Sequence, residues 1–504
     1  MKTYSLKLIG VTLFVLSVLY FVIRLFNILD LPIFTDEAIY IRWAQIAKDD
    51  ASWRFISLTD GKQPSFVWFA ILLLHVVTDP LLAGRLVSVI SGFLTVIGLF
   101  FLGKELFKST RIGLISAALY VVYPMAVVYD RMALYDSLVG MFMVWSFYLT
   151  VLLARRVRLD VALILGMVIG GGVLTKTNAF FSIYLLPFSL LLLEWKKGKL
   201  KETAVKWTML AGIASFIGFG IYNILRLSPF FHIIEEKNAL FVYPLGEWLM
   251  HPFRFLVGNL SGQFDWLLTY LTIPVFALIL LAPVVHIKFA REKLVLLIWF
   301  FLPFVALALF GKTLYPRFIF FMTLFLLPLA AFTIDWLSGR LKNRLLLGLI
   351  LAITFAFQMR AVFGIITEFG TSPIAQSDRN QYSNDWPAGW GIKESSVFFE
   401  KEAASGPIFV ATQGTFGLMP TSYEIYLSDN KNIQLKGYWP IDQTIPEELL
   451  AMSEEKTTYV VFYQPCVNCV NRFEAPVGWP VTEVARYDNP YRDSYMTIYQ
   501  VKKE

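Results

Sequence analysis

Residues Leu8–Leu29 read LIGVTLFVLSVLYFVIRLFNIL, and Asp30–Tyr40 follow at once as DLPIFTDEAIY. An apolar run of this length is enough to cross a hydrocarbon core of about 30 Å. Lys2 and Lys7 precede it. The run is longer than the apolar core of a signal peptide, about 7–15 residues, and has no small-x-small cleavage site, so we expect a retained transmembrane helix. Asp36 and Glu37 are then expected where the chain has just left the membrane.

Working outward, the pattern repeats. The chain has 504 residues, 57% hydrophobic and 16% charged, against about 25% charged in an ordinary soluble domain. Eleven candidate spans lie near 8–29, 83–103, 112–129, 137–154, 159–175, 178–194, 207–226, 266–286, 293–311, 317–336 and 344–364. The run Phe66–Val77 is too short to span and reads as an interfacial or re-entrant helix. Five connections are short and basic: Lys104, Lys108 and Arg111; Arg155, Arg156 and Arg158; Lys196, Lys197, Lys199 and Lys201; Lys288, Arg291 and Lys293; Arg340, Lys342 and Arg344. Positive loops stay in the cytoplasm, and eleven spans put all five there together with the N-terminus. The connections 30–82, 130–136, 176–177, 227–265 and 312–316 then face outward, as does everything after 365. Residues 366–504 carry 11 Lys and Arg against 18 Asp and Glu, a net of −7, which leaves +14 on the rest of the chain. The overall +7 is therefore a topology signal and no pointer to nucleic acid. Two domains are expected, a membrane domain over 1–365 and a water-soluble one over 366–504.

The outward connections hold the unusual polar residues. They are Asp36, Glu37 and Tyr40; Asp60 and Lys62 in Asp60-Gly61-Lys62-Gln63-Pro64; Arg131 and Asp136; Lys176 in Leu174-Thr175-Lys176-Thr177; and Arg317 after Tyr315-Pro316. Each has an ordinary reading: acids at a helix start, a snorkelling lysine, a self-satisfied ion cluster. Gathered on one face, ionisable groups at membrane depth point to function. Carboxylates to take a proton and cations to hold a departing anion suit a reaction with a phosphate leaving group. His75, His232, His251 and His286 are scattered, so no metal site is argued. No glycine-rich phosphate loop follows a strand, so neither a nucleotide nor another cofactor is expected.

From Lys62-Gln63-Pro64 to Pro187, with Asp36-Glu37 before and Arg317-Phe318 after, the chain resembles the dolichyl-phosphate-mannose protein mannosyltransferase-like family. The aminoarabinose transferases are related, and all belong to the glycosyltransferase C superfamily. The family's Lys-Pro-Pro is met by Lys62-Gln63-Pro64, its Arg-x-x-x-x-Asp by Arg131 and Asp136, its Leu-Thr-Lys-Gly by Leu174-Thr175-Lys176 with Thr177 in the glycine's place. Aminoarabinose transferases also carry an acid immediately before the lysine, where this chain has Gly61. The resemblance implies a polytopic α-helical membrane protein of about eleven transmembrane helices with a C-terminal extracytoplasmic α/β domain. It implies inverting transfer of a sugar from a polyprenyl-phosphate-linked donor to a hydroxyl of a protein, lipid or cell-wall glycan at the outer face of the plasma membrane. Asp36 would be the general base, with Glu37 and Asp136 positioning it or the acceptor. Lys62, Lys176, Arg317 and Arg131 would hold the carrier phosphate, beside Tyr40 and Asp60. A flippase or a non-catalytic glycan-binding protein is the alternative. A transporter, however, would show inverted repeats and midplane charges, which this sequence lacks.

Loop 227–265, with Glu235, Glu236, Lys237 and Trp248, reads either as a mobile cover or as an aromatic-rich interfacial helix. In the tail, strands are expected at Pro407–Ala411, Thr458–Tyr463, Glu483–Tyr487 and Met496–Val501. Helices are expected at 391–404, 418–427 and 445–455. The tract 381–391 reads either as a contact for the acceptor or as a dock for the tail on the membrane, the second being preferred. Cys466 and Cys469 form a C-x-x-C pair; it follows an expected strand and does not open a helix as a redox site would, so a loop-stapling disulfide is preferred to a redox centre.

Overall fold

The computed structural model describes residues 6–193, 200–441, 444–463 and 474–503. Among these, eight helices are long and apolar enough to cross a membrane: Leu6–Leu25, Pro80–Phe107, Tyr135–Arg156, Lys201–Leu227, Leu256–Val285, Ala290–Phe310, Pro316–Arg340 and Arg344–Thr367. A ninth, Thr110–Val121 with Pro124–Asp130, is bent by 61°. The expected spans at 159–175 and 178–194 are shorter than foreseen. Leu159–Val173 has 15 residues, about 22 Å at 1.5 Å per residue, and Thr177–Leu192 is a broken run of short turns. Between them the chain turns at Thr175 and Lys176, which line a cavity. Leu256–Val285 begins ahead of the expected 266 because its polar first turns remain helical. There Asn259 Nδ2 donates to the carbonyls of Ala308 (3.1 Å) and Gly311 (2.8 Å). Ser65–Leu74 is a helix of 10 residues, too short to span, as its sequence indicated.

Three of the basic connections, 104–111, 155–158 and 288–293, meet at one end of the bundle. Arg155 pairs with Glu105 (3.0 Å) and Glu292 (3.0 Å), and Arg111 with Asp335 (3.4 Å). Lys196, Lys197 and Lys199 lie outside the described residues. Two ion pairs are fully buried, Arg24–Asp130 (3.2 Å) and Arg85–Glu37 (2.8 Å). Burial at this depth is tolerable only because the remaining lone pairs and protons are used. Asp130 also accepts from Tyr20, Tyr120 and Ser137.

The tail carries a five-stranded sheet in the order β4-β3-β5-β7-β6. It is built from β3 (Ile408–Gln413), β4 (Ile433–Tyr438), β5 (Thr457–Phe462), β6 (Val481–Asp488) and β7 (Tyr495–Val501). The first three are parallel, and the last two run antiparallel to their neighbours. Alternation along β3 turns Ile408 and Val410 toward Phe399 and Tyr423 in one cluster, and Phe409 and Ala411 toward Leu449 in another. Helices Ile392–Ala403, Thr421–Leu427 and Glu447–Glu455 form close to where the sequence indicated. Strand β4 escaped the reading because it is an edge strand, half exposed along its length and carrying Gln434, Lys436 and Gly437. Cys466 and Cys469 lie outside the described residues.

The tract 381–391 pairs with the first polar loop. A two-residue strand β2 (Ala388–Gly389) runs antiparallel to β1 (Ile33–Phe34), and Thr35 N donates to Pro387 O at 3.0 Å. Arg42 pairs with Glu424 (3.2 Å), and Gln45 Nε2 donates to Ile425 O (2.9 Å). The tail is thereby held against the helix Thr35–Asp49.

Candidate active site

Phe34 is extended and Thr35 begins a helix whose first turn holds Asp36 and Glu37. Acids are favoured there because free N–H groups and the helix dipole face them. Glu37 is used up by that turn and its surroundings. It accepts from Phe34 N (3.0 Å), from Ala133 N (2.6 Å) and from Arg85 Nε and Nη2 (2.9 and 2.8 Å). It fixes the turn to Arg85 and the Ala133 backbone and is not among the residues that line the cavity of Lys62, Lys176 and Arg317. Asp36 points the other way and accepts from Arg317 Nη1 at 2.9 Å. Its carboxylate keeps 24% of its exposure, enough to meet a small group.

Arg317 enters from a distant segment, where Pro316 starts a tight turn at the head of a span. It lines a cavity of about 480 Å³ together with Tyr40, Lys62, Tyr135, Asp136, Lys176 and Lys237. Lys176 donates to Asp136 Oδ1 at 2.7 Å and lies over the ring of Phe318 at 5.0 Å. Lys62 lies over Phe241 at 5.5 Å. Lys237 pairs with Asp60 at 2.6 Å. Asp36, Tyr40, Lys62, Asp136, Lys176 and Arg317, spread over most of the chain, therefore form one group. Asp60 adjoins it through Lys237.

Arg131 does not join them. Its guanidinium donates to the carbonyls of Ile23 (3.1 Å), Arg24 (3.0 Å), Phe26 (2.6 Å) and Asn27 (3.0 Å). Those are the orphan acceptors at the end of the first helix, so Arg131 ties off a helix terminus, and it is not among the residues that line the cavity.

Burial pushes the Asp36 carboxyl up. The charges of Arg317 and Lys62, with hydrogen bonds from Arg317 and Tyr40, nevertheless hold it below the ordinary carboxylate value. Burial brings the Lys62 ammonium down to about 8; Asp36 opposes the shift, while Arg317, Lys176 and Lys237 add to it. Among the described residues no group of three His, Cys, Asp or Glu is placed to hold a metal ion.

Four residues had no role in the site assigned from the sequence: Lys237, Asn238, Asp378 and Tyr382. Lys237 and Asn238 come from the helix Ile233–Ala239, which lies close over Gly61. A Cβ on Gly61 would stand 2.6 Å from Ile233 O and 2.6 Å from Lys237 Cβ, and the backbone there has φ +65°. This explains locally why glycine, and no acid, precedes Lys62. Tyr382 packs edge-on against Phe34, with ring centroids 4.9 Å apart, and Asp378 beside it accepts from Tyr129 (2.7 Å) and Tyr270. A charge in a loop rich in aromatics was the only sign of Lys237.

This architecture, a multi-pass helical bundle with polar loops gathered at one end and a sheet domain beyond, is the glycosyltransferase C fold. Residues 61–222 match the family model described as dolichyl-phosphate-mannose-protein mannosyltransferase, a segment that contains Lys62, Asp136 and Lys176. Two solved structures are similar across most of the chain. ArnT from Cupriavidus metallidurans, bound to undecaprenyl phosphate, is 14% identical with a TM-score of 0.56, covering 99% of this chain and 98% of that one. The oligosaccharyltransferase AglB from Archaeoglobus fulgidus, in complex with an inhibitory peptide and a dolichol-phosphate, is 12% identical with a TM-score of 0.51, covering 90% and 69%. No curated protein sequence matches significantly.

Proposed function

We propose that the chain transfers a sugar from a polyprenyl-phosphate carrier to an acceptor hydroxyl, with inversion at the anomeric carbon. The observation that carries this reading is the Asp36–Arg317 pair at the edge of a cavity that also holds Lys62 and Lys176. The acceptor oxygen attacks the anomeric carbon, the bond from that carbon to the phosphate oxygen breaks, and its electron pair leaves with the phosphate. Asp36 takes the hydroxyl proton. A carboxylate with a lowered proton affinity suffices because the transfer is concerted with departure of a leaving group that cations neutralise. Lys62, Lys176 and Arg317 hold the phosphate, and Asp136 orients Lys176. Tyr40 supports Asp36, and Glu37 fixes the turn that carries it. The apolar part of the cavity suits the first isoprene units, and lipid surrounds the rest of the carrier. The gathering of those three basic loops at one end supports a site that faces away from the cytoplasm, with the tail on the same side. The acceptor is a glycan, lipid or protein hydroxyl at that surface.

The test is transfer from a radiolabelled polyprenyl-phosphate sugar into membranes by purified protein. Asp36→Asn is nearly isosteric and removes the base, so turnover should fall by about 10²–10⁴-fold while the variant still folds. Near-normal turnover would end the assignment.

A further inference from the structure

The hydroxyl of Thr177 accepts two hydrogen bonds: Gln63 Nε2 donates to it at 2.7 Å and Asn238 Nδ2 at 3.4 Å. A hydroxyl has two lone pairs and one proton. With both lone pairs taken, the proton is left with the remaining direction, and no hydrogen bond from Thr177 Oγ1 to another described residue is seen. Thr177, Gln63 and Asn238 all line the cavity that holds Lys62 and Lys176.

The aiming groups are themselves fixed. Gln63 is 3% exposed. Its segment is held on either side, by Lys62 N donating to Ser57 O (2.9 Å) and Ser65 N donating to Leu174 O (3.1 Å). Gln63 follows Lys62 and Thr177 follows Lys176, so the bond joins the two lysine-bearing segments in the cavity that both lysines line. These are also the two positions at which the chain departs from the motifs it resembles. A glycine in place of Thr177 would offer no side-chain donor, and a proline in place of Gln63 no amide to aim one. The two departures act as one device.

We propose that Thr177 is a ligand-binding residue whose hydroxyl, aimed by Gln63 and Asn238, donates a hydrogen bond to the carrier phosphate between Lys62 and Lys176. Gln63 is its positioning residue. This rests on the carrier-phosphate reading above and adds to it a neutral, directional donor. Two lysines alone attract an anion as point charges. A hydroxyl held on two sides fixes which phosphate oxygen faces it.

Binding of undecaprenyl phosphate, without sugar, to the purified full-length protein in detergent tests the idea. Thr177→Val keeps the shape and removes the donor, and should weaken binding by about 10- to 100-fold, the range for a bond to a charged acceptor. Thr177→Ser should stay within about threefold of the parent. Gln63→Leu should weaken binding in the parent and have no further effect in the Thr177→Val background, since the two act as a unit. Parent-like affinity in Thr177→Val, equal losses in the Ser and Val variants, or additive losses with Gln63→Leu would each overturn the proposal. Lys62→Ala separates the two levels. If it binds normally, or if the parent does not bind the carrier, the donor-site reading itself falls. If it binds weakly while Thr177→Val binds normally, only the role of Thr177 falls.

Discussion

Lys62 offers a test in which charge alone is varied. Its ammonium is brought down to about 8 in the site proposed to receive the carrier phosphate. The sign follows from which form each state prefers. The folded protein favours the neutral amine more than an exposed lysine does, whereas a bound phosphate favours the ammonium. Below about pH 7 the lysine is already charged and carrier affinity should be flat. Above about pH 8 each binding event must take up a proton, and affinity should fall toward tenfold per pH unit. Between pH 7 and 9 the charged fraction drops from about nine-tenths to about one-tenth, so roughly a tenfold loss is expected over that interval. Titration calorimetry with undecaprenyl phosphate in buffers of different ionisation enthalpy reads both the affinity and the proton uptake. Lys62→Arg should abolish the slope, because a guanidinium does not titrate in this range. A flat parent profile, or a slope that survives in Lys62→Arg, would refute the placement of this ammonium against the phosphate.

Arg317→Lys should keep part of the activity and lose about 10- to 100-fold, because one ammonium cannot hold Asp36 and a phosphate as a planar fork does; steady-state transfer rates check this. Glu37→Gln breaks a fully buried pair with Arg85 and should destabilise the fold by about 3–5 kcal/mol, read as a lower midpoint of thermal unfolding in detergent. Cysteines introduced into the loops 104–111 and 155–158 should be protected from a membrane-impermeant reagent in intact cells, while cysteines in the tail should be labelled.

The sequence displayed the cations well because each of Lys62, Lys176 and Arg317 interrupts or borders an apolar run, where a charge stands out. It could not tell Arg131 from them. An arginine beside a span looks the same whether its guanidinium faces a ligand or four backbone carbonyls, and only the packing of the first helix decides. Asp36 and Glu37 show the same limit. Adjacent on a helix, they point about 100° apart, so one meets Arg317 at the edge of the cavity and the other is consumed by Arg85. Two of the eleven expected spans came out shorter than their apolar composition suggested, Leu159–Val173 with 15 residues and Thr177–Leu192 as a broken run of turns. Lys237 stayed hidden because nothing local to loop 227–265 indicates that it will lie over Asp60. Strand β4 was lost to its exposed edge.

The pairing of β1 with β2 has a consequence for how the protein is made. Thr35, next to Asp36, takes its support from Pro387, 352 residues later. The ribosome delivers the proposed base ahead of the later spans and its support only after Thr367, where the last described span ends. Closing so long a stretch of chain is entropically slow. The support of the proposed base therefore arrives late. A chain interrupted before Pro387 would insert its helices and leave the Thr35 amide, at the head of the Asp36 turn, without its tail partner.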